Sequence, residues 1–93
     1  MNGPTPVTHS FVFSGVQINI YHPNKGEGLP RHEHVYAHST YCTAGSIVVR
    51  KEGREVVMTP ASKPVTLVPY EWHEIEALED GTSFTNVFLE GKY

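Results

Sequence analysis

His32-Glu33-His34-Val35-Tyr36-Ala37-His38 is the stretch on which the reading of this chain turns. The three histidines have one parity, so on a β-strand, where side chains alternate, all three point to the same face. On an α-helix His32 and His34 would stand about 200° apart and only His34 and His38 would align. Local composition favours the strand. Val35, Tyr36, Thr40, Tyr41, Cys42 and Thr43 are β-branched, aromatic or strand-tolerant, and Ala37 is the one strong helix former. A strand carrying three imidazoles on one face is a claw of nitrogen donors with the spacing of metal ligands. Tyr36, Thr40 and Cys42 share its parity. Tyr36 therefore sits between imidazoles, where it either contacts or protonates a bound substrate or packs at the rim. Cys42 reads as a small core residue, and Glu33, of opposite parity, faces away.

At this point the chain resembles the cupin family. The first motif of that family, G-x5-H-x-H-x3-4-E-x6-G, is reproduced in every spacing by Gly26, His32, His34, His38 and Gly45, with His38 in place of the usual Glu. The second motif, G-x5-P-x-G-x2-H-x3-N, is met in part by Pro69-Tyr70-Glu71-Trp72-His73. Its Pro-to-His distance is one residue short, its internal Gly is missing, and Ala77 stands where Asn is usual. The resemblance implies a double-sheet jelly roll and a single divalent transition-metal ion held by His32, His34, His38 and His73. His38 is then either the fourth ligand or a hydrogen-bonding group beside an ion held by the other three. Imidazole nitrogen suits Zn, Ni, Fe and Cu, and Mn also belongs to the set, so the ligands do not name the metal. Four neutral imidazoles would leave the whole +2 charge on the site, one unit more than a three-His, one-carboxylate set.

Composition bounds what surrounds such a site. The 93 residues leave room for one small domain spanning 1–93, with residues 1–6 expected as a flexible leader. Hydrophobic residues make up 39% and the mean hydropathy is −0.31, values of a soluble globule without a membrane span. Lys and Arg number 7 against 10 Asp and Glu, a net charge of −3, which argues against a nucleic-acid surface. The N-terminal residues lack a charged and apolar signal pattern, so the cytoplasm is the expected compartment. One cysteine, Cys42, excludes an internal disulfide and a thiolate zinc finger together.

The rest of the chain reads as short strands. Thr8 to Phe13 and Val16 to Tyr21 flank Ser14-Gly15, and in the second Val16, Ile18 and Ile20 alternate with Gln17, Asn19 and Tyr21, the pattern of one packed and one open face. A Gly- and Pro-rich loop from His22 to Pro30 precedes the claw, and neither His22 nor His9 is expected to bind metal. Ser46 to Lys51 and Glu55 to Thr59 form a hairpin. Val65 to Val68 leads to the loop that delivers His73, and Phe84 to Leu89 closes the chain. From His73 the parity puts Ile75 and Ala77 on one face, Glu74 and Glu76 on the other. About eight short strands and no amphipathic helix give an all-β sandwich or barrel.

Two function classes follow, both implied by the resemblance. One is a metalloenzyme that isomerises, eliminates or oxygenates a sugar, sugar acid or small carboxylate. The other is a metal-dependent small-molecule binder or sensor. Tyr70 and Trp72 are expected to wall the pocket, and a homodimer is the expected assembly.

Overall fold

The computed structural model describes residues 4–33 and 37–89, and all of their regular structure is β. Nine strands follow one another: β1 (His9–Phe13), β2 (Val16–Tyr21), β3 (Gly28–His32), β4 (His38–Ala44), β5 (Ile47–Lys51), β6 (Arg54–Met58), β7 (Val65–Leu67), β8 (His73–Ala77) and β9 (Ser83–Leu89). They form a five-stranded sheet in the order β1-β2-β9-β4-β7 and a four-stranded sheet in the order β3-β8-β5-β6, every pairing antiparallel.

Local chemistry sets the strand ends. Ser14 and Gly15 both have positive φ, 51° and 78°, which gives the β1–β2 hairpin a turn whose twist matches the strands. Gly28, at the start of β3, lies so close to β8 that a Cβ there would overlap the Ile75 carbonyl oxygen.

The two inner faces meet in one apolar core. Tyr21, Phe84 and Cys42 are cross-strand neighbours on the five-stranded sheet, and the Tyr21 and Phe84 rings stack at 4.7 Å and 12°. Leu29, Ile75, Val49, Ile47 and Met58 meet them from the other sheet. Next to this apolar row on the five-stranded sheet runs a polar one. Asn19 pairs with Asn86, Asn86 with Thr40, and all three are buried. Thr40 Oγ1 donates to Asn86 Oδ1 at 2.7 Å, and Ser10 Oγ donates to Asn19 Oδ1 at 2.6 Å.

Charge is divided between the sheets. Strands β1, β2, β4, β7 and β9 contain no Asp, Glu, Lys or Arg, whereas β3, β5, β6 and β8 carry Arg31, Arg50, Lys51, Arg54, Glu55, Glu74 and Glu76. On the outer side of the four-stranded sheet Arg50 bonds Glu55 at 2.9 Å and Glu76 at 2.8 Å. That confirms the outward parity expected for Glu76.

One expectation is corrected and two local features are added. The claw is not one strand: β3 ends at His32 and β4 begins at His38, on different sheets, so the shared parity of positions 32 and 38 does not bring them together. In β2 the polar set points inward, with Asn19 and Tyr21 buried and Val16, Ile18 and Ile20 only partly covered. The expected alternation is present, and its inward face is the polar one because the interior here has a polar layer. Thr5 is buried, and its N–H donates to the Gly28 carbonyl at 2.7 Å.

Candidate metal centre

Three of the four expected histidines converge at one end of the sandwich. His32 closes β3, His73 opens β8, and the two are cross-strand partners with ring centroids 4.3 Å apart. His38 opens β4 on the opposite sheet, and its ring lies 5.0 Å from that of His73. The cluster therefore bridges the two sheets. His34 and Tyr36 lie outside the described residues. Among the described residues no group of three or more His, Cys, Asp or Glu side chains is arranged to hold a metal ion.

Hydrogen bonding fixes the tautomers of two rings. His32 Nδ1 lies 2.6 Å from the Pro30 carbonyl oxygen, and His73 Nδ1 lies 3.0 Å from that of Glu71. A carbonyl oxygen can only accept, so in both residues Nδ1 carries the proton and the neutral ring has its lone pair on Nε2. This is how metal-binding imidazoles are held in place: the second nitrogen is spent on a backbone carbonyl, which fixes ring orientation and basicity. The Nε2 atoms of His32, His38 and His73 are all shielded from solvent. Burial pushes His73 below the ordinary imidazole range, the charges of His32 and Lys51 act in the same direction, and the Glu71 carbonyl opposes them. The ring is thus neutral at pH 7, the form a metal requires. By donor chemistry the residues present suit a divalent transition metal.

The neighbours divide into those the sequence placed and those it missed. His9 and His22 are exposed and pack against each other at 6.0 Å, and His22 Nδ1 meets Thr8 Oγ1 at 3.0 Å, remote from the cluster. Cys42 is buried in the core, and burial raises its thiol pKa. Trp72 is covered by the Arg31 guanidinium, 4.3 Å from the ring centroid, while Tyr70 is exposed with φ of 65°. Lys51 and Glu71 were not singled out from sequence. Lys51 is the cross-strand partner of His73, and its Nζ lies 3.4 Å from Glu71 Oε1. The signal was available: Lys51 shares the parity of Val49 and Ile47, the apolar positions of its strand. An open, mostly apolar hollow of about 380 Å³, bordered by Val16, Ser39, Thr66, Val87 and Leu89, reaches the cluster at His38 alone.

Solved structures with the same arrangement decide the fold. KdgF from Halomonas sp. superposes with a TM-score of 0.74 at 16% identity, covering 90% of this chain and 76% of its own. A cupin superfamily protein from Desulfitobacterium hafniense gives 0.72 at 13% identity, with 90% and 80% covered. The fold is that of the cupins. A conserved protein with a double-stranded β-helix domain from Klebsiella pneumoniae matches over 98% of this chain and 81% of its own, at TM-score 0.75 and 16% identity. No protein-family model matches the sequence, and no curated protein matches it. In cupin terms the first motif here is split across both sheets, with His32 on one and His38 on the other. No helix among the described residues is long and apolar enough to cross a membrane.

Proposed function

We propose that this protein binds one divalent transition-metal ion through His32, His34, His38 and His73, and that it is an enzyme acting on a small polar substrate rich in oxygen. A sugar, sugar acid or carboxylate is the substrate class. The observation that carries the reading is the pair of Nδ1–H bonds to the Pro30 and Glu71 carbonyls, which leaves His32 and His73 presenting basic Nε2 atoms. When bound, the ion supplies a Lewis acid for isomerisation or elimination, or a redox centre for oxygenation.

The chain's own residues orient and shield. The strand ends of both sheets hold His32, His38 and His73, and the Trp72 ring beside His73 in sequence is covered by the Arg31 guanidinium. Tyr36 is proposed as the residue that contacts the substrate.

A metal-dependent binder or sensor is the second reading. It is favoured by the outward placement of Glu74 and Glu76 with Arg50, which leaves few carboxylates for proton transfer. Turnover of any sugar acid by the metal-loaded protein would dismiss it.

The proposed partner besides substrate is a second copy of the chain. The outer face of the five-stranded sheet is uncharged, β1 is exposed along its whole length, and Phe11, Phe13 and Leu89 stand open beside Ile18, Ile20 and Val87. The single free and buried Cys42 suits a reducing compartment, and the cytoplasm is the one proposed.

Elemental analysis of protein purified without added metal or chelator tests the main reading. One equivalent of a transition metal is expected in the wild type, with sharp loss in His32→Ala, His34→Ala, His38→Ala and His73→Ala. Full retention in His9→Ala and His22→Ala is expected. Equal loss from the second pair, or no metal in the wild type, would sink it.

A further inference from the structure

We propose that Lys51 forms an anion-binding subsite beside the imidazole cluster and takes a carboxylate of the bound ligand. The inference rests on reading the cluster as the functional site and narrows its ligand to an acid.

Four observations carry it. First, Lys51, His73 and His32 are cross-strand partners in one row across β5, β8 and β3, so neighbouring members are separated by roughly one strand spacing, about 5 Å. Second, that row faces inward, since Lys51 shares parity with the fully buried Val49 and Ile47. Among the described lysines and arginines, Lys51 and Arg50 alone are not exposed, and Arg50 is on the outer face, bound to Glu55 and Glu76. Third, the ammonium is underused. The Lys51 side chain is 14% exposed and its contact with Glu71 Oε1, at 3.4 Å, is longer than a charge-assisted hydrogen bond. An ammonium has three donors, and covering one without bonding the others is costly. Fourth, Glu71 has other work. Its Oε1 accepts from the Val68 N–H at 3.4 Å, its own N–H donates to the Val68 carbonyl at 3.3 Å, and its carbonyl orients His73.

These facts describe a mostly covered cation beside the imidazoles with a protein carboxylate as a loose occupant. A ligand carboxylate can share or replace the Glu71 contact, since Glu71 itself shows the size of group the ammonium accepts. An acid of two to four carbons then reaches from Lys51 to the His73 side of the row with a second oxygen. No bond is made or broken in this step.

Calorimetric titration of the protein as purified tests the subsite, with malonate as probe, malonamide as its neutral counterpart and inorganic phosphate as the competing anion. Malonate is expected to bind and malonamide is not. Lys51→Met is expected to weaken malonate by roughly tenfold or more with metal content unchanged. Glu71→Gln removes the competing charge and is expected to tighten malonate several-fold, a gain that a purely structural ion pair would not produce. Equal malonate affinity in wild type and Lys51→Met, or no malonate binding by wild type, overturns the subsite. A preference for phosphate overturns the carboxylate assignment. Metal content measured on the same samples keeps the two readings apart: a metal-free wild type whose malonate binding still depends on Lys51 defeats the metal centre and upholds the subsite.

Discussion

Replacing Thr40 by Val removes one hydroxyl from the buried polar layer and nearly preserves shape. Thr40 and Asn86 are both fully buried, and the 2.7 Å bond between Thr40 Oγ1 and Asn86 Oδ1 joins β4 to β9 just below the imidazoles. Water cannot replace the lost donor without entering the core. The cost is that of a buried acceptor left without its donor, about 1–3 kcal/mol, rather than the smaller net worth of an exposed hydrogen bond. For a domain of this size each kcal/mol lowers Tm by about 4–8 °C, so a fall of roughly 5–20 °C is expected. Urea denaturation followed by tryptophan fluorescence and circular dichroism should show a lower midpoint with an unchanged slope. A double-mutant cycle with Asn86→Leu isolates the pair, and the double variant should be more stable than the two single losses summed. A Thr40→Val midpoint within experimental error of the wild type would refute the reasoning, because it would mean that the interior at Asn86 is wet or that the bond is absent.

Further outcomes follow from the same structure. In metal-stripped protein the buried His73 binds its proton less readily when folded than when unfolded, so stability should fall as pH drops below about 6.5, by at most about 1.4 kcal/mol per pH unit for this group. Thermal melts between pH 8 and 5 should show that slope in the wild type and a shallower one in His73→Phe; parallel curves would remove His73 as its source. Gly28→Ala forces a Cβ onto the Ile75 carbonyl, and a loss of about 1–3 kcal/mol is expected by denaturation, a wild-type midpoint being the contrary result. Phe13→Asp, on the open face of β1, should convert a dimeric mass to a monomeric one in light scattering at micromolar concentration, and a monomeric wild type would dismiss the pairing.

Much of the architecture was legible because the chain punctuates itself clearly. Val16 to Tyr21 coincides with β2, and the remaining expected strands fall within a residue or two of β1 and β5 to β9. The hairpin at Glu52-Gly53 and the delivery of His73 at the start of β8 follow from Gly, Pro and β-branched residues acting locally. The claw failed as a strand for a reason that parity cannot reveal. A period of two describes residues that stay in one sheet, and the chain changes sheets between His32 and His38. Their meeting is tertiary, set by the packing of two sheets. Which face of β2 turns inward was not legible for a related reason: alternation alone does not say, and Asn19 can be buried because Ser10 and Gln17 satisfy it while the apolar side lies on an uncharged outer surface. Lys51 ends its strand at an apolar parity, and sequence alone does not say that a charged residue there faces inward.

The position of β9 has a consequence for how the molecule is made. It lies between β2 and β4, so the five-stranded sheet stays in two pieces until residues 83–89 have left the ribosome. Until then Tyr21 has no Phe84 to stack on, Thr40 has no Asn86, and the strand that carries His38 lacks its central neighbour. A chain so arranged must close its most distant segments before the nearer pairs gain support, which makes for slow, late and cooperative assembly. A nascent chain halted before residue 83 should therefore leave β1, β2, β4 and β7 open to protease, His38 included.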